Sequence, residues 1–176
     1  IVVDFESSVN ATEHLINLGC KKIALFSAID NLSVGKLRAQ GYLKAIEKNG
    51  IVANNDLIIL TDSEEDFDKK AQLLFDNHKI DGIFAVDEHA SVSAIKLGLK
   101  NGYKIPEELS VIGFADGVWS RRLSPSLSTV SQHGPEIGEA AAKLLIEELE
   151  SKDEEYKHKT TVIKTELRQR ESTRKL

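Results

Sequence analysis

Four side chains have the types and the placing to hold a small polar ligand: Arg38, Asp87, Asp116 and Gln132. A guanidinium offers a rigid fork of donors to vicinal hydroxyls or a carboxylate, carboxylates accept from hydroxyls, and an amide does both. Asp87 follows the apolar run 82–86, Asp116 follows 110–114, and Gln132 follows the strand start Ser128-Thr129-Val130. Arg38 lies early in a helical segment, 34–49, that comes after the apolar run 23–27. Ligands of open parallel sheets bind beyond the carboxyl ends of the strands, so the four are expected along one edge. Two plainer readings stand beside this one. Asp87 is as well placed to cap the helix that follows it, and pattern alone favours the cap. A single arginine early in an amphipathic helix is ordinarily a solvated surface residue.

The rest of the polar inventory excludes more than it offers. His14, His78 and His158 are scattered, His89 and His133 lie near the expected edge, and no pair of histidines shows metal spacing. There is no glycine-rich phosphate loop, no Gly-x-Ser-x-Gly elbow and no defensible acid and base pair, so neither an enzyme nor a bound cofactor is expected. Trp119 is suited equally to stacking on a sugar ring and to covering a subunit seam. The lone Cys20, after Leu18-Gly19, reads as a small buried residue and fits a reducing compartment. A net charge of −5 argues against this stretch gripping phosphate backbones. The tail 152–176 is mildly basic, but its charges alternate in sign and read as a solvated face. No apolar run approaches the ~20 residues of a membrane-spanning helix, and no secretory leader is visible.

The elements that must position these residues alternate in type. Strands are expected at 1–3, 23–27, 57–60, 82–86 and 110–114, with a late one at 162–167; helices are expected at 7–18, 34–49, 64–77, 88–101 and 135–150. That alternation is the mark of βαβ units, hence an α/β fold with helices on both faces of a parallel, Rossmann-like sheet, three layers in all. Gly19, Gly50 and Gly102 stop three of the helices, Pro135 suits a first turn, and Thr61-Asp62-Ser63 supplies capping oxygens to a helix opened by Glu64-Glu65. With 176 residues, 41% of them apolar, the chain can build one domain with a proper core.

Two helices carry more apolar surface than a sheet alone would cover. In 88–101, Ala90, Ala94 and Leu97 fall on one face, and Val92, Ile95 and Leu99 on the opposite one. The second face must meet another helix of the chain or a second subunit. In 135–150, the stripe of Ile137, Ala141, Leu144, Leu145 and Leu149 lies beyond the one plausible boundary, near 128–132.

In order and spacing the chain resembles the LacI/GalR transcriptional regulators, in the effector-binding part built like type I periplasmic sugar-binding proteins. The resemblance is carried by Val3-Asp4 with Ala11-Thr12-Glu13-His14-Leu15, by Gly19 through Ala24, and by Arg38 with Gly41-Tyr42. It continues through Asp87 with Ala90, Ile105-Pro106-Glu107-Glu108-Leu109-Ser110-Val111-Ile112-Gly113-Phe114, the run 125–132, and the closing Arg170-Glu171-Ser172-Thr173. It implies a C-terminal portion of such a protein: residues 1–127 the C-terminal subdomain, 128–160 a segment returning to the N-terminal subdomain, and 161–176 a closing strand and tail. It implies a cytoplasmic homodimer with Val92, Ile95, Leu99 and Trp119 at the interface. The effector would be a small molecule, a carbohydrate on family grounds, held by Arg38, Asp87, Asp116 and Gln132. Operator DNA would be read by a helix-turn-helix outside these residues. Two positions depart from the family pattern: Val86 stands where a polar residue is usual and Ala115 where the first of two acids is usual. A sugar-binding protein of a transport system, with the same fold, is the alternative.

Overall fold

The computed structural model describes residues 1–114, 116–151 and 158–175. Ala115 and 152–157, the latter holding part of the basic tail, lie outside the described residues. Five parallel strands and one antiparallel strand form a single sheet. They are β1 (Ile23–Ser27), β2 (Ile58–Leu60), β3 (Gly82–Ala85), β4 (Ser110–Gly113), β5 (Ser128–Ser131) and β6 (Glu166–Arg168), in the order β2-β1-β3-β4-β5-β6. The central β1, β3 and β4 are buried along their whole length, because helices cover both faces.

On one face lie α1 (Asp4–Asn17) and α2 (Ser33–Lys48), whose Leu15, Tyr42 and Ile46 join Leu25, Phe84 and Ile112. They approach so closely that a Cβ on Gly41 would stand 2.5 Å from the Phe5 carbonyl oxygen. On the other face lie α3 (Glu64–Asn77) and α4 (Glu88–Lys100), whose Phe67, Leu74, Ala90 and Ala94 join Phe26, Ile83 and Val111. A short α5 (Val118–Arg122), not expected from the pattern, and α6 (Gly134–Glu150) complete the chain. The helix stops are as expected: Gly19, Gly50 and Gly102 have φ of +87°, +69° and +82°. Ser63 Oγ accepts from the Asp66 amide at the start of α3. Cys20 is buried, its thiol donating to the Asp81 carbonyl, and burial pushes that thiol up from its ordinary pKa.

Several elements differ from the expectation. The run 1–3 is not a strand: only Val2 bridges, in parallel, to Ile163, and α1 begins at Asp4. Two serine hydroxyls favour the early start, Ser7 Oγ donating to Val3 O and Ser8 Oγ to Asp4 O. The late strand is shorter than 162–167 and antiparallel. Ile95 is 3% exposed and belongs to the interior, so the outward apolar face expected on α4 is reduced to half-buried Val92 and to Leu99, 45% exposed. The crowding of α4 against β3, β4 and α3 explains this, since the helix is held on more than one side. No residue of α6 is buried, and Leu145, Ile146 and Leu149 are all more than half exposed. Among the described residues no helix is long and apolar enough to cross a membrane.

Candidate functional site

The carboxyl ends of β1, β3, β4 and β5 lie side by side in the parallel sheet, and the four candidate residues follow them. Arg38 projects from the second turn of α2 and is only 6% exposed. Its Nε donates to Asp4 Oδ1 at 2.7 Å, Nη2 lies 2.7 Å from the same oxygen, and Nη1 donates to the Val86 carbonyl at 2.7 Å. The guanidinium carbon stands 3.8 Å from the centroid of the Phe114 ring, a cation–π contact that covers one of its faces. Burial pulls the guanidinium pKa below its ordinary value, while the hydrogen bond to Asp4 and the charges of Asp4 and Asp87 oppose that shift. An arginine has five N–H donors, so two Nη hydrogens remain without a partner among the described residues. They are what the guanidinium can offer a ligand.

The two aspartates are differently employed. Asp87 caps α4, its Oδ1 accepting from the Ala90 amide at 2.8 Å, while Oδ2 accepts from the Ala28 amide at 2.8 Å. The carboxylate therefore ties the end of β3 to the turn after β1, and the capping reading of Asp87 is what the geometry displays. Asp116 is bound by two arginines of the C-terminal segment. Arg170 Nη2 donates to its Oδ1 at 2.6 Å and Arg168 Nη1 to its Oδ2, with Thr129 Oγ1 donating to Oδ1 at 3.1 Å. Burial works to raise the Asp116 pKa, but the hydrogen bonds from Arg170 and Thr129 and the two positive charges hold it below the ordinary aspartate range. Asp116 is thus the clamp that holds β6 and the closing segment on the sheet.

Gln132 is half-buried, and its side-chain amide has no hydrogen-bond partner among the described residues. It precedes His133, which takes a left-handed backbone conformation, φ +54°, at the entry to α6. That turn is where the chain leaves the sheet. The second connection at this end pairs Val2 with Ile163 and Ser7 Oγ with Thr165 Oγ1 at 2.6 Å. Of the expected interface residues, Trp119 is 60% exposed beside exposed Val118, and Leu99 is exposed on α4. Gly117, at the entry to α5, lies against the Glu88 side chain in the first turn of α4, which brings α5 and α4 together.

Sequence reasoning missed Asp4 as a partner of Arg38, and it missed the two arginines on Asp116. The first had a faint signal, an acid closing the otherwise apolar run Ile1-Val2-Val3 and followed by Phe5. The second had none, since 52 and 54 residues separate the partners.

The fold is an open α/β unit in which β1, β3, β4 and β5 end on one edge, with two chain connections near that edge and an uncovered helix beyond them. The model of the periplasmic binding protein-like domain matches residues 12–173, and the chain belongs to that family, in the branch of the LacI/GalR regulators. It is 30% identical over 174 residues to the HTH-type transcriptional repressor PurR of Mannheimia succiniciproducens, covering 98% of this chain and 52% of that one. It is 31% identical over 169 residues to the HTH-type transcriptional regulator MalR of Clostridium butyricum, covering 95% and 50%. The crystal structure of a LacI family transcriptional regulator from Mycobacterium smegmatis superposes with a TM-score of 0.84 at 26% identity, over 98% of this chain and 64% of that one. The chain spans about half the length of the curated relatives it matches.

Proposed function

We propose that this chain is the effector-binding and dimerising part of a transcriptional regulator. A small molecule binds at the strand-end edge, and operator DNA is bound by a part of the protein outside these residues. The observation that carries the reading is Arg38: a guanidinium fixed by Asp4, Val86 O and Phe114 at the expected ligand edge, with two donors unspent. Gln132 presents an unassigned amide just past the carboxyl end of β5. Asp87 and Asp116 hold the edge in shape rather than reaching the ligand, since their carboxylates are engaged inside the protein. The relatives named above are repressors or regulators, which favours regulation over transport and over catalysis.

Residues 1–127 form the C-terminal subdomain, 128–160 with α6 return to a second lobe that completes the cleft, and 161–176 are the closing strand and tail. The exposed Leu145, Ile146 and Leu149 are the surface that the rest of that lobe covers. Closure of one lobe on the other alters operator affinity only if the effector binds the two geometries unequally. A second copy docks on exposed Leu99, Val118 and Trp119 with half-buried Val92, Trp119 being of the type enriched at interface centres. The effector is a carbohydrate, because an arginine and an amide suit hydroxyl groups. Such a regulator works in the cytoplasm, which the free, buried Cys20 fits.

The test is an operator-release assay on the protein that contains this chain, run across a panel of neutral sugars, sugar phosphates and purines. Release by a neutral sugar supports the reading. A protein that binds no DNA and instead binds sugar as a monomer contradicts it and favours the transport alternative.

A further inference from the structure

Arg38 is a cation of the strand-end edge, and its charge is already cancelled inside the protein. One oxygen of Asp4 takes Nε at 2.7 Å and lies 2.7 Å from Nη2, and both side chains are less than a tenth exposed. Asp87, the residue after the Val86 whose carbonyl Arg38 also holds, adds a further negative charge to its surroundings. The Phe114 ring shuts off one face of the guanidinium. Asp4 is also the first residue of α1, where the positive end of the helix favours a negative charge.

An anion arriving at the two remaining Nη hydrogens therefore meets a neutral pair and not a net positive charge. It would have to come to rest within a few ångströms of the Asp4 carboxylate, in a poorly solvated site where like charges repel strongly. A neutral ligand bearing a hydroxyl or carbonyl oxygen accepts from the same hydrogens without that repulsion. Resting on the effector-binding reading above, we propose that Asp4 is a specificity-determining residue: by neutralising Arg38 it restricts the effector to uncharged, oxygen-bearing molecules and excludes anions. It follows that removing the Asp4 charge turns the edge into an anion site.

Inorganic phosphate is the probe, titrated at constant ionic strength into the 176-residue chain and read by the Arg38 Nε–H resonance and by thermal melting. In the wild-type chain phosphate leaves the resonance and the melting temperature where chloride leaves them. Asp4→Asn binds phosphate at least about tenfold more tightly than wild type, the ratio that about 1.4 kcal/mol gives. Asp4→Asn combined with Arg38→Met loses that gain. Asp4→Ser, a residue favoured where a helix begins, serves if the asparagine variant does not fold. Phosphate moving the Arg38 resonance of the wild-type chain overturns the proposal, as does a folded Asp4 variant that gains no phosphate affinity. These readouts use no DNA, so a failed operator-release assay and a failed phosphate titration are separate results.

Discussion

Replacing Asp116 by Asn removes one charge from the only ion-pair cluster that joins the closing segment to the sheet among the described residues. The carboxylate is 7% exposed and accepts from Arg170, Arg168 and Thr129. Hydrogen bonds to charged groups contribute about 1.5–3 kcal/mol each. Arg168 is 39% exposed, so its share is screened by solvent and discounted to about 0.5 kcal/mol. Asparagine keeps one acceptor oxygen, which retains part of the Arg170 and Thr129 bonds. The net cost is about 2–3 kcal/mol, or roughly 4–12 °C in Tm for a domain of this size. Urea and thermal denaturation of the chain read it, with Arg168→Gln as the exposed control, expected within about 1 kcal/mol of wild type. The same carboxylate sets a pH dependence. Its folded-state pKa lies below its unfolded one, so its contribution is complete above the ordinary aspartate range and is lost as pH falls through the depressed value. The stability difference between wild type and Asp116→Asn should therefore shrink on acidification. A variant within about 0.5 kcal/mol of wild type, or a difference that grows toward low pH, refutes the clamp.

Two further outcomes follow from the same geometry. Asp87→Ala removes a helix cap and leaves the buried Ala28 amide without its acceptor, at about 2–4 kcal/mol, whereas Asp87→Asn keeps an acceptor and costs about 1; chemical denaturation distinguishes them. Leu99→Asp, at an exposed position, lowers self-association in sedimentation equilibrium without changing the melting temperature of the monomer, and unchanged association at all concentrations speaks against the proposed dimer surface.

The α/β class and the places of β1 to β4 were legible because each lies in a largely apolar run between punctuated helices, and because parallel sheets bury both faces. The helix stops at Gly19, Gly50 and Gly102 were legible for a local reason, the left-handed turn that glycine tolerates. The resemblance to the LacI/GalR regulators rested on many short pieces in one order, and the family match covers the same span. What the sequence did not reveal is long-range pairing. Nothing near Asp116 signals Arg168 or Arg170, so a residue that holds the C-terminal strand was read as a ligand contact. The period of α4 leaves the Val92, Ile95 and Leu99 face open to another helix of the chain or to a second subunit; the resemblance puts Ile95 at an interface, whereas it is interior. Asp87 shows the converse: its place after a strand suits a ligand and a cap equally, and only the second amide, Ala28, decides what both oxygens do. The antiparallel direction of β6 is equally invisible in periodicity.

Operator binding by the intact regulator tests the proposed action of the effector at Arg38. In the regulator that contains this chain, operator affinity is measured with and without the releasing effector for wild type and Arg38→Ala. Effector-free affinity serves as the control for folding, since leaving Asp4 buried and unpaired costs about 3 kcal/mol or more. The expected result is an unchanged effector-free affinity together with loss of release at effector concentrations that free the wild-type protein from DNA. An Arg38→Ala protein that releases the operator along the wild-type curve would contradict the account.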